Sequence, residues 1–152
     1  MTAPLLHIRP AAAGDIPRLC ALLAELFAQE ADFTPNAERQ RRGLALILDN
    51  PGAGRIYCAA HSGVVIGMVT ILFTISTAEG GRAAWLEDLV VDPAWRSRGV
   101  GTQLLSHAVA DAKLAGCTRI TLLTDSDNYR AMRLYSRAGF VRSAMAPFRL
   151  SL

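Results

Sequence analysis

Lysine is nearly missing from this chain: Lys113 stands alone beside fifteen arginines, which are scattered along the 152 residues rather than clustered. Scattered guanidinium groups on a net charge of only +3 argue against a face that follows a nucleic-acid duplex, which needs a basic stripe. Aromatics for stacking on single strands are scarce too, with Trp95 beside Arg96 and Arg98 the one candidate patch. Such mild basicity suits an anionic small molecule equally well. No run approaches roughly eighteen uninterrupted apolar residues, and Met1-Thr2-Ala3-Pro4 lacks the charged and apolar regions of a secretory signal. A cytoplasmic protein with no membrane and no nucleic-acid partner is the expectation. Cys20, Cys58 and Cys117 are odd in number, far apart and set in apolar or periodic stretches, so they read as buried small hydrophobes and suggest neither a disulfide framework nor a metal cluster. His7, His61 and His107 have no neighbours that would complete a metal site.

What is present is apolar and periodic. Hydrophobic residues make up 51% of the chain, too many for disorder, and its length fits one domain over 1–152 that needs no metal or disulfide staple. Leu5 to Arg9 alternates as an edge strand. Gly14-Asp15-Ile16-Pro17 opens a helix, with Asp15 as N-cap, and Ile16, Leu19, Cys20, Leu23, Leu26 and Phe27 recur at helical spacing to about Gln29. A second helix runs from Asn36 to Asp49 and stops at Asn50-Pro51-Gly52. Arg55 to Ala60, Val64 to Thr77 and Ala83 to Val91 form a meander, turned at His61-Ser62-Gly63 and Glu79-Gly80-Gly81-Arg82.

The apolar run Leu89-Val90-Val91 then reopens as a helix through Arg96-Ser97-Arg98-Gly99-Val100-Gly101-Thr102. That junction is shaped to hold a phosphate. The first N–H groups of a helix have no intrahelical acceptor and sit at the positive end of its dipole, while Gly99 and Gly101 remove Cβ atoms that would keep a diphosphate from the backbone. A dinucleotide fingerprint is absent, since position 104 is Leu instead of the third glycine, and a Walker loop fails for want of Gly-Lys-Ser/Thr. The helix buries Val100, Leu104, Leu105, Ala108, Val109 and Ala112 and stops at Ala115-Gly116. Arg119 to Thr124 reads as a central strand. Asp125-Ser126-Asp127-Asn128 supplies caps for a helix carrying Ala131, Leu134 and Tyr135 to Ala138-Gly139, and Phe140 to Arg142 and Phe148 to Leu152 read as short closing strands. The fold class is α/β (mixed α+β), a mostly antiparallel mixed sheet of about six to seven strands with helices on both faces.

Arg96-x-x-Gly99-x-Gly101 followed by Asn128-x-x-Ala131-x-x-Leu134-Tyr135-x-x-x-Gly139-Phe140 resembles the GNAT superfamily of acetyl-CoA-dependent N-acetyltransferases, with the motifs spanning Trp85 to Phe140. The resemblance implies a GNAT-like fold with a V-shaped splay between the fourth and fifth strands. It implies acetyl-CoA as co-substrate and no metal, with the pantetheine arm paired to the main chain of Leu89, Val90 and Val91 in the manner of an added strand. The pyrophosphate would lie over Arg96, Ser97, Arg98, Gly99, Val100, Gly101 and Thr102. Asn128 either caps its helix or hydrogen-bonds the pantetheine region. Tyr135 is either a core aromatic or the acid that protonates the departing CoA thiolate.

Most amines are protonated near neutral pH and must lose a proton before attacking a thioester, so a carboxylate near the cleft is sought. Glu87 and Asp88 are adjacent on a strand and point to opposite faces. Glu87 matches the position where family members carry a base, while Asp88 is either the base or bonded to a neighbouring loop. A strand N–H near Leu89 or Val90 would polarise the acyl oxygen. An acyl-cysteine route through Cys117 lacks a histidine to activate the thiol. The acceptor is a primary amine of a small molecule or peptide; Glu30 and Asp32 could attract its cation, and a homodimer is compatible with the sequence. The rival reading is a non-catalytic acyl-CoA-binding sensor or scaffold, which would need neither Glu87 nor Tyr135.

Overall fold

The computed structural model describes residues 6–30 and 34–152. Leu5 and Asp32 lie outside the described residues. Strand β1 (His7–Pro10) leads to helices α1 (Ile16–Gln29) and α2 (Ala37–Leu48), then to the meander β2 (Gly54–His61), β3 (Val64–Ser76) and β4 (Gly81–Val91). Helix α3 (Val100–Leu114), strand β5 (Ile120–Leu122) and helix α4 (Tyr129–Arg137) follow. The strands lie in sequence order in one sheet, antiparallel from β1 to β4, with β5 parallel to β4.

Helices cover both faces, as expected, and each face has its own core. On one face Leu104, Leu105 and Ala108 of α3 pack against Tyr57, Val69, Ile71 and Leu86, with Leu134, Tyr135 and Phe140 at the margin. On the other, Leu19, Leu22 and Leu23 of α1 and Leu44 of α2 pack against Ile56, Cys58, Met68 and Val90. Met68, Ile71 and Leu104 are fully buried, so truncating Leu104 to Ala would cost about 2–5 kcal/mol. Gly67 sets the approach of α3: a Cβ there would lie 3.0 Å from Leu104 Cδ1 and 3.2 Å from the Val90 carbonyl.

Asn36 caps α2, its side chain accepting from Arg39 N at 3.0 Å. Asp15 does not cap α1 through its side chain. Its carboxylate instead accepts two bonds from the Arg9 guanidinium at 2.7 and 2.9 Å and one from Ala12 N at 2.8 Å, which hold its pKa down to about 2. An Arg fork outcompetes a helix N–H for the same oxygens.

Two expectations fail at the other end of the sheet. Neither 140–142 nor 148–152 forms a strand, so the sheet has five strands among the described residues instead of six to seven, and β5 is an edge strand instead of a central one. Residues 148–152 alternate as a strand does but form no ladder. The continuous apolar character of Ile120, Leu122 and Leu123 is that of a strand covered on both faces, a property that does not reveal whether both edges are paired.

Candidate active site

The site grows from the end of a strand pairing. β4 and β5 pair only through Ala84–Leu86 against Ile120–Leu122. Beyond Leu86, β4 stays paired with β3 as far as Val91 but has no partner on its β5 side among the described residues. Main-chain groups of Leu89, Val90 and Val91 lie along that unpaired side, where the resemblance implies a splay.

β4 ends in Asp92, whose carboxylate caps a 3₁₀ turn (Pro93–Trp95) by accepting from Ala94 N at 2.9 Å and is held by Arg18 of α1 at 2.5 Å. Arg96 turns back and donates from Nε to the Val91 carbonyl at 3.2 Å, while the Arg98 guanidinium lies over the Trp95 ring. Ser97 and Gly99 both have positive φ, 61° and 81°. For Ser97 this is an uncommon backbone state; its Oγ accepts from Arg130 Nη2 of α4 at 3.1 Å, which ties the loop to the second motif helix. Arg130 was not singled out in the sequence, because a lone exposed arginine in a helix gives no local signal.

The first bond of α3 runs from Gln103 N to the Gly99 carbonyl at 3.1 Å, so the N–H groups of Val100, Gly101 and Thr102 lack intrahelical acceptors. They open on a cleft of about 540 Å³ that is also bounded by Leu89–Val91 and Arg96 on one side and by Asn128, Arg130, Leu134 and Tyr135 on the other. A Cβ at Gly99 would meet nothing, and one at Gly101 would only touch Leu134 and Val91 at 3.6 and 3.8 Å. The protein's own packing therefore does not require glycine at 101; an anion over these N–H groups would.

The geometry of strand, glycine turn, helix and second motif helix is matched by comparison. The pattern of the acetyltransferase (GNAT) family covers residues 18–140. The chain belongs to that family. It is 29% identical over 140 residues to an aminoalkylphosphonate N-acetyltransferase of Salmonella typhimurium, spanning 92% of this chain and 88% of the other. It is 30% identical over 146 residues to a thialysine N-epsilon-acetyltransferase of Bos taurus, spanning 87% and 82%. Its fold matches an aminoglycoside N-acetyltransferase solved in complex with CoA, with a TM-score of 0.82, 18% identity and coverage of 99% and 97% of the two chains. This GNAT N-acetyltransferase is thus an acyltransferase of a family that uses acetyl-CoA.

The GNAT chain places its two β4 carboxylates differently. Thr70 pairs with Asp88 and Ile71 with Leu86, so Glu87 is an extra residue in a β-bulge. The bulge switches faces: Leu86 belongs to the α3 core, whereas Val90, of the same parity, belongs to the α1 core. Glu87 is exposed and Asp88 partly buried. Burial, the Glu87 charge and the Glu30 charge push the Asp88 carboxyl up to about 7. No side-chain hydrogen bond of the described residues reaches Asp88.

Tyr135 lies on α4 with its ring against Phe140, centroids 5.8 Å apart. Burial, then the charges of Glu30 and Asp88, push its phenol up to about 12. Asp88, Glu30 and Tyr135 therefore sense one another although they sit on β4, after α1 and on α4. Asn128 caps α4 through Oδ1, which accepts from Ala131 N at 3.2 Å, and its amide NH₂ stays available to a ligand. Among the described residues no group of three or more His, Cys, Asp or Glu could hold a metal, and no helix is long and apolar enough to cross a membrane.

Proposed function

We propose that this enzyme moves the acetyl group of acetyl-CoA directly to a primary amine of a small molecule, with Asp88 as base and Tyr135 as acid. The observation that carries the reading is one cleft lined by an unpaired strand edge, a helix N-terminus whose first N–H groups lack intrahelical acceptors, and the Tyr135 phenol, with Asp88 next in sequence to that strand edge. The pyrophosphate is assigned to Arg96, Ser97, Arg98, Gly99, Val100, Gly101 and Thr102, where N–H groups and the helix dipole favour negative charge. Pantetheine amides are assigned to the open edge at Leu89, Val90 and Val91, with the Asn128 amide as a further donor.

Of the two β4 carboxylates, the bulge favours Asp88 over Glu87. A base with a pKa of about 7 is half ionised at neutral pH and is matched to removing a proton from an ammonium ion. Asp88 takes the ammonium proton before attack, the freed amine bonds to the acetyl carbon as the carbon–sulfur bond breaks, and the surplus proton on nitrogen restores Tyr135 once it has protonated the thiolate. The thiolate takes a proton from Tyr135, whose raised pKa keeps the phenol protonated until then. A strand N–H near Leu89 or Val90 polarises the acyl oxygen. Glu87 and Glu30 add negative potential that draws in a cationic amine. Both relatives described above are named for small amine-bearing acceptors, which supports a small molecule over a protein chain.

A library of amines assayed for CoA-thiol release tests catalysis and acceptor together. Release that depends on a primary amine is expected. Acetyl-CoA binding without release for any amine would overturn the enzymatic mechanism in favour of a non-catalytic acyl-CoA sensor.

A further inference from the structure

Two buried side-chain polar atoms of the described residues have no hydrogen-bond partner, Gln40 Nε2 on α2 and Thr70 Oγ1 on β3. Thr70 is 0% exposed, and a hydroxyl shut away from water without a partner is costly, so its place calls for a reason. The β-ladder supplies its neighbours. Across the sheet Thr70 stands between Ile56 of β2 and Asp88 of β4. The adjoining pair on the same face, Met68 with Val90, packs in the α1 core, so Thr70 and Asp88, each two residues away along its strand, look toward α1 as well. Ile56 offers no polar atom, and of the two flanking side chains Asp88 alone can bond a hydroxyl. Directly opposed residues of an antiparallel pair have Cβ atoms about 5 Å apart, within reach of a Thr–carboxylate hydrogen bond after rotation about χ1. Asp88 likewise takes no side-chain hydrogen bond among the described residues.

We propose that Thr70 is the positioning residue of Asp88: as the carboxyl ionises, the Thr70 hydroxyl turns and donates to it, holding the carboxylate against β3 and favouring its charged form. The inference rests on Asp88 as the base, since a base must be ionised before it can take the ammonium proton. One hydroxyl serves both states. It accepts from the protonated carboxyl and donates to the carboxylate, and the second bond is the stronger because its acceptor is charged. Burial and the negative charges of Glu87 on β4 and Glu30 after α1 work the other way, pushing the carboxyl up, and the Tyr135 phenol on α4 senses the same carboxylate. A hydroxyl opposes them without adding charge, whereas an arginine or lysine at position 70 would pair with Asp88 and repel a cationic amine. The bulge makes the arrangement possible, because it leaves Asp88 instead of Glu87 opposite Thr70.

Carboxyl NMR of the full chain labelled with carbon-13 aspartate reads Asp88 itself, its resonance being the one lost in Asp88→Asn. Thr70→Val, of nearly the same shape without the hydroxyl, is expected to raise the Asp88 midpoint by about half a pH unit or more, and Thr70→Ser, which keeps the hydroxyl, to stay near the parent. Glu87, Glu30 and Tyr135 are unaltered in both variants, so the difference between them belongs to the hydroxyl. The acid limb of kcat/KM should move with the midpoint while acetyl-CoA affinity holds. An unmoved midpoint in Thr70→Val overturns the inference, as does an equal rise in Thr70→Ser. A midpoint that moves beneath an unmoved limb supports the contact and rejects Asp88 as base, which keeps the two failures apart. Should Thr70→Val not fold, the Thr70 hydroxyl proton of the unaltered protein decides: a resonance that shifts downfield as Asp88 titrates supports the contact, and one indifferent to that titration overturns it.

Discussion

Leu86 and Val90 lie four residues apart on β4, yet they pack on opposite faces of the sheet. Were the alternation unbroken through Glu87, they would share a face. Asp88 would then point with Leu86 into the α3 core, where a carboxyl has no use. The bulge turns it toward the end of α1, where the Glu30 charge reaches it, and the two carboxylates acquire different environments.

The base assignment predicts a split in pH–rate profiles. In the parent, kcat/KM should rise through about pH 7 as Asp88 ionises. Asp88→Asn should lower it at least tenfold and remove that limb, leaving a rise that follows the amine itself. Glu87→Gln should be milder, since Glu87 is exposed. Equal loss in both variants, or parallel profiles, would reject Asp88 as base.

The same raised pKa sets a stability difference of definite sign. The folded protein holds a proton on Asp88 that the unfolded chain, with an ordinary carboxyl near 3.8, gives up. Between about pH 4 and 7 the folded state binds more protons, so this group makes stability fall as pH rises. Asp88→Asn removes the penalty and should raise Tm by a few degrees at pH 8, with little change at pH 4. A calorimetric series at the two pH values checks it.

Loss of the Tyr135 hydroxyl should affect chemistry and little else. For Tyr135→Phe a fall in kcat of at least tenfold is expected with acetyl-CoA affinity unchanged, because the ring still packs against Phe140. Unchanged kcat with chemistry rate-limiting would leave the phenol a packing group and water the acid.

Two substitutions at Gly101 separate backbone space from anion binding. Gly101→Ala adds only contacts of 3.6 and 3.8 Å and should fold as the parent does. Gly101→Glu sets a carboxylate at the helix N-terminus and should weaken CoA binding at least tenfold with Tm nearly unchanged. Calorimetric titration of both variants with CoA tests the phosphate assignment, which fails if Gly101→Glu binds as the parent does.

Features legible in the sequence were those set by local periodicity or capping. The stripe of α3, the Asn36 cap and the glycine turn follow from neighbouring residues alone. The splay was expected through family resemblance, since nothing in Glu87–Val91 itself says that one edge stays bare. The bulge has no local signal, because two adjacent acids in an apolar strand look alike before the β3 register is known. Asp15 misled because Arg9, six residues away, competes for its carboxylate. The last segment misled most, since Phe148 to Leu152 has a strand's alternation yet forms no strand.

Lys113 acquires meaning from where it sits. It is exposed in the last turn of α3, about 20 Å along the helix axis from the Gly99 turn where the acyl donor's phosphates are assigned. A guanidinium keeps its proton at any physiological pH and is no nucleophile, whereas an ε-amine is one whenever it deprotonates. A surface of arginines with this one distant lysine keeps the cationic character that suits an anionic co-substrate while offering it a single side-chain amine.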